Sequence, residues 1–163
     1  MTINYNFDDT IQRMLSATRT AEETEHSRGY TTLWSSNVYM FPKNSVVYHP
    51  NGFLPFRISE HPSERLVFLE DSFADQLIDS IHGHYNVLSD YFTHNTCLLL
   101  GLSLNDPTLK HILRTNATNH PGIYHYYIKY VRSGESIENE KAIADANFDV
   151  YNLVTLFLNG EEM

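Results

Sequence analysis

At 163 residues, with 42% hydrophobic, 13% aromatic and 19% charged residues, the chain carries enough apolar surface to fold as one domain, which excludes wholesale disorder. A formal net charge of -9 excludes a broad phosphate-binding face, so no nucleic-acid partner is expected, and Lys43, Arg57 and Arg65 read as scattered solvated surface. The single cysteine, Cys97, excludes an internal disulfide and a Cys-rich zinc site, and no apolar stretch approaches the ~20 residues of a membrane span, so a cytoplasmic location without a membrane partner is expected.

In chain order, Met1 to Tyr5 has the β-branched and aromatic character of a short strand, and Asp9 with Gln12 three residues later reads as a capping box. Phe7, Ile11, Met14 and Leu15 recur at helical spacing, predicting an apolar helix face docked on a sheet. The polar run Thr18 to Gly29 reads as a loop or helix end. Asn44 to His49 predicts a strand that stops at the turn Pro50-Asn51-Gly52. Arg65 to Leu69 predicts another strand, Phe73, Leu77 and Ile81 a helix, and Val87, Leu88, Tyr91 and Phe92 a further helix. Thr96 to Leu100 reads as a fully buried strand containing a buried Cys97, followed by the turn Gly101 to Asn105 and a helix with Asp106 at N-cap and Pro107 in its first position. Tyr124 to Val131 predicts a strand, Ile137 to Ala146 a helix, and Val150 to Leu158 a closing strand or helix, since periodicity fits both. Strands alternating with helices predict an α/β fold with a mostly parallel sheet flanked by helices, as a single domain over residues 1–163.

Ligands of open parallel sheets sit beyond the carboxyl ends of the strands. Three turns occupy that place: Asn4, Asn6, Asp8 and Asp9 after the first strand, His49 with Asn51-Gly52 after the next, and Gly101, Ser103, Asn105 and Asp106 after the third. Each has a plain structural reading as well, in helix capping, turn formation or close strand-helix packing. The nine histidines include His82, His84, His120 and His125, but none of these makes the i, i+4 helical pair of zinc hydrolases, and no metal site is expected.

Taken together, these turns resemble the SIR2-like family associated with bacterial anti-phage defence, over roughly Asn4 to Tyr130. Tyr5-Asn6-Phe7-Asp8-Asp9 resembles the family's Thr-x-Asn-Phe/Tyr-Asp segment, with Asn4 where the family has threonine. Val46 to Pro55 resembles the segment ending in the family's His-Gly pair, and Gly101 to Pro107 resembles its late Gly-x-Ser turn. The resemblance implies a partial Rossmann-like sheet, NAD as substrate or ligand, and hydrolysis of the nicotinamide-ribose bond. By resemblance, Asn6 would hold a water, Asp8 would orient Asn6 or stabilise developing positive charge, and a histidine would act as general base. Gly52, Gly101, Ser103 and Asp106 would line the cofactor.

Two departures stand out. Asn51 precedes Gly52 where the family has its histidine, and the nearest imidazole, His49, is two positions earlier and so on the same strand face. An amide does not accept a proton at physiological pH, so Asn51 as it stands would cost ~10²- to 10⁴-fold in rate. The first strand and glycine-rich loop of a complete domain are also expected to be lacking before Asn4, which predicts an exposed sheet edge and a homo-oligomer or a protein partner that completes the sheet. Three readings follow: an NAD glycohydrolase needing a partner or a further segment, a catalytically degenerate binding or assembly module, and an α/β protein whose turns mimic the family by chance.

Overall fold

The computed structural model describes residues 1–17, 30–34, 45–56, 62–63, 66, 84–131 and 136–159. The chain divides into two units, Met1–Tyr85 and Asn86–Met163, each taken by itself below. The polar run Thr18 to Gly29, Lys43, Arg57, His82, the strand expected at Arg65 to Leu69 (apart from Leu66) and the helix expected around Phe73, Leu77 and Ile81 lie outside the described residues.

In the first unit, β1 (Thr2–Ile3), α1 (Thr10–Ala17), β2 (Tyr30–Leu33) and β3 (Ser45–Tyr48) build a parallel sheet of order β1-β3-β2. Thr2 lies beside Val47, and both Ile3 and Leu33 lie beside Tyr48. The central position of β3 accounts for its unbroken apolar run: Val47 and Tyr48 are 1% and 0% exposed, as suits a strand covered on both faces. β2 was not foreseen. Its four residues, Tyr-Thr-Thr-Leu, have strand-forming character but are too few to stand out after a long polar run.

The expected apolar face of α1 is only partly covered: Phe7 and Ile11 are half-buried. Met14 and Leu15 are exposed, and the buried residue of the helix is Gln12. Asp9 and Gln12 are instead the buried polar residues at this end of the helix, each bonded to a neighbouring segment, and Ser16, one turn on and exposed, lies 3.0 Å from the Tyr30 hydroxyl. The expected capping box is also absent. The Asp9 carbonyl accepts from Arg13 N (2.9 Å), but its carboxylate accepts from Phe56 N (3.1 Å), and Gln12 turns towards His49. Asp8 accepts from Thr10 N (2.9 Å) at the helix start in its place.

The helix α2 (His84–His94) leads into the second unit, where β4 (Leu98–Leu99), α3 (Pro107–Asn119), β5 (His125–Val131), α4 (Ile137–Tyr151) and β6 (Leu153–Asn159) follow. Their parallel sheet runs β4-β5-β6, with Leu99 beside Tyr127 and His125 beside Leu153. Strand alternation buries Leu99, Tyr127, Val131 and Leu153 with Leu109, Ile112 and Leu113 of α3, while Leu98, Tyr126, Tyr130, Leu156 and Leu158 are exposed. The expected fully buried strand at Thr96 to Leu100 is therefore shortened to two residues, of which only Leu99 is buried. β4 pairs on one side alone among the described residues, so its alternate side chains face outward. Cys97 is only half-buried, its thiol facing the Asn95 carbonyl at 3.7 Å.

Asp106 caps α3 as foreseen, accepting from Thr108 N (2.8 Å) and Leu109 N (3.0 Å) ahead of Pro107. Ser136 caps α4, and Asn152, left-handed at φ 53° and ψ 36°, ends it so that β6 can begin at once. That resolves Val150 to Leu158 into a helix end and a strand. The chain is α/β with two small parallel sheets and helices, consistent with a partial Rossmann-like fold.

Candidate functional site

The loop after β1 and the turn after β3 emerge side by side, because the two strands are parallel neighbours in the sheet. The ladder extends one step past β1 through Asn4 N, which donates to Tyr48 O (2.8 Å), while His49 N donates to Leu33 O of β2 (2.8 Å). The chain then reverses at Pro50-Asn51, with Gly52 N donating to His49 O (3.3 Å) and Gly52 at φ 107°, where a side chain would be strained.

Three successive carbonyls of the β1-α1 loop are gripped by the segment after β3. Asn51 Nδ2 donates to Tyr5 O (3.3 Å), His49 Nδ1 to Asn6 O (2.9 Å), and Leu54 N to Phe7 O (2.7 Å). Within the loop, Asn4 Oδ1 accepts from Asn6 N (3.1 Å). This i, i+2 side-chain bond closes a local turn at the start of the loop.

His49 is fully buried, and both of its ring nitrogens are engaged. A carbonyl can only accept, so Nδ1 carries the proton; Nε2 then accepts from the Gln12 amide at 2.6 Å. Burial lowers the imidazole's proton affinity below the ordinary histidine value, opposed in part by the Asn6 carbonyl and the charge of Asp8. Phe53 packs against the ring at 4.8 Å and stacks on Trp34. Asn51 is also buried, at 7% exposed. Asn6 and Asp8, by contrast, are exposed. The Thr10 hydroxyl and backbone N–H hold the Asp8 carboxyl below the usual carboxylate range, so it stays ionised.

Of the residues singled out from sequence, Asn6, Asp8, His49, Asn51 and Gly52 are thus brought together. Their division of labour is a pair of accessible polar side chains standing on a buried clamp. Gly101, Ser103 and Asp106 lie in the second unit. Gly101 is left-handed at φ 65° with open space around it, and Ser103 Oγ accepts from Asn105 N (3.3 Å). Asp106 is committed to the α3 cap.

Gln12 and Thr32 were missed as site residues. Gln12 has the i+3 spacing of a capping partner, and nothing local to Thr32 marks it. A cavity of about 610 Å³ lies along α1, lined among the described residues by Asp9, Gln12, Arg13, Tyr30 and Phe56 and others, with the Arg13 guanidinium 5.4 Å from the Phe56 ring. No group of histidines, cysteines or carboxylates able to hold a metal occurs among the described residues, and none of their helices is long and apolar enough to cross a membrane.

Comparison with protein families matches the SIR2-like domain over residues 1–151. No curated protein and no solved structure matches the chain.

Proposed function

Because the chain belongs to the SIR2-like domain family, whose members are NAD-associated in general, we propose that it is an NAD-binding module in which the hydrolytic centre is degenerate. The observation that carries this reading is the burial of His49 with both ring nitrogens spent on Asn6 O and Gln12. A general base must reach the proton it removes, and this imidazole has no free nitrogen to offer. Asn51, in the family's histidine position, supplies no basic nitrogen and is itself hydrogen-bonded to the loop.

The residues present fit the binding half of the family's chemistry. Asn6 and Asp8 are accessible at the carboxyl end of a parallel strand, on a backbone already fixed by the clamp. Bound NAD would supply the nicotinamide-ribose bond. Asn6 would donate or accept a hydrogen bond beside it, and the ionised Asp8 would favour positive charge developing on the sugar. That charge on Asp8 supports a second reading, an NAD glycohydrolase of the defence type that works without an imidazole base.

One assay separates the two. Purified protein incubated with NAD is expected to show a thermal shift without free nicotinamide, and Asn51→His is expected to release it. Nicotinamide release by the wild type, abolished in Asp8→Asn, would favour the second reading. Absence of any NAD-dependent shift would overturn both. The exposed apolar row on the second sheet supports the accompanying reading that the chain self-associates.

A further inference from the structure

We infer that Gln12 is a positioning residue for the loop carrying Asn6 and Asp8: its amide N–H, donated to His49 Nε2, fixes the ring with its proton on Nδ1, and that proton pins the Asn6 carbonyl. The consequence for NAD rests on the function proposed above, whereas the clamp itself does not.

A neutral imidazole has one proton and two nitrogens, so a partner that can only donate at one nitrogen decides what the other can do. The Gln12 amide is such a partner in the orientation seen here. One of its N–H groups meets His49 Nε2, the other points at Thr32 Oγ1 of β2 (3.5 Å), and Oε1 is buried without a hydrogen-bond partner among the described residues. The main chain of Gln12 is itself anchored. Its carbonyl accepts from Ser16 Oγ (2.8 Å) and from the Tyr30 hydroxyl of β2 (3.1 Å). The position of the amide is therefore set by α1 and β2 together, some twenty residues apart in sequence.

On the other side of the ring, the Asn6 peptide groups are held at both ends, N–H by Asn4 and carbonyl by His49. Gln12, which meets the ring from α1, and Thr32 of β2, which contacts the Gln12 amide, are neutral, Phe53 from the turn after β3 is apolar, and Asp8 of the loop is the charged group that acts on the ring. Protonating Nε2 would set an N–H against the Gln12 N–H, and only an amide turned over to present Oε1 could meet it. A glutamate at position 12 would instead accept from Nε2 and keep the ring charged with the Asn6 bond intact.

Long-range proton–nitrogen correlation spectra of the imidazoles in the whole nitrogen-15-labelled chain test this directly. Near neutral pH, wild-type His49 is expected to show a protonated Nδ1 and a bare Nε2. Gln12→Glu is expected to protonate both nitrogens while leaving the Asn6 and Asp8 backbone amide signals in place. Gln12→Met, with no donor, is expected to shift or broaden those signals and to weaken NAD binding about 3- to 10-fold. A wild-type ring protonated on Nε2, or a folded Gln12→Met with unchanged Asn6 and Asp8 signals, would overturn the assignment. If NAD fails to bind the wild type, the proposed function falls, and the imidazole spectrum still decides the role of Gln12.

Discussion

At the scale of single residues, two buried histidines make stability depend on pH. His49 donates from Nδ1, and His125 accepts the Cys97 N–H at Nδ1 (3.2 Å) while packed edge-on against Phe92. Burial lowers the proton affinity of both below the ordinary value of 6.5. The unfolded chain therefore takes up protons before the folded one, and stability is complete above about pH 6.5 and declines as pH falls through that value towards the folded-state affinities. Thermal midpoints measured from neutral to mildly acidic pH should fall. In His125→Asn, whose amide oxygen can replace Nδ1 as acceptor without titrating, the fall should be shallower. An equal slope in wild type and variant would show that His125 does not contribute.

Elements differ in what they bury, and that sets the cost of changing them. Leu109 of α3 is 1% exposed, so Leu109→Ala should cost about 2–5 kcal/mol in urea unfolding, whereas Met14→Ala on the exposed side of α1 should stay within about 0.5 kcal/mol. Asp106→Ala removes the α3 cap and should cost about 1 kcal/mol. The same contrast explains what the sequence revealed. The start of α3 was legible because Asp-Pro is a local signal, and β3, β5 and α4 were legible because β-branched runs and helical spacing are local too. α1 was located correctly but its inward face was not, because burial there follows from bonds to His49, Tyr30 and Phe56, each distant in sequence. The candidate site shows the same limit. Motif order singled out Asn6, Asp8, His49 and Asn51 as candidates, but their division into exposed groups and buried clamp depends on which carbonyl each donor meets. Gln12 carried no separate signal at all.

For the molecule as a whole, the two sheets differ in how they present themselves to solvent. The second sheet leaves Leu98, Tyr126, Tyr130, Leu156 and Leu158 exposed on alternate positions of three adjacent strands. If that row mediates self-association, light scattering should give a molar mass above that of one chain, and Tyr130→Glu with Leu158→Glu should return it to the monomer value. A monomeric wild type would refute it. In the first unit, the grip on Tyr5, Asn6 and Phe7 has a kinetic corollary. If NAD docks beside it, as proposed above, a stretch of main chain whose acceptors are already occupied has little ordering left to do, so the entropic penalty of docking is small. Stopped-flow traces should then show an observed rate that climbs linearly with nucleotide concentration and never levels off, the mark of a lock already cut before its key arrives.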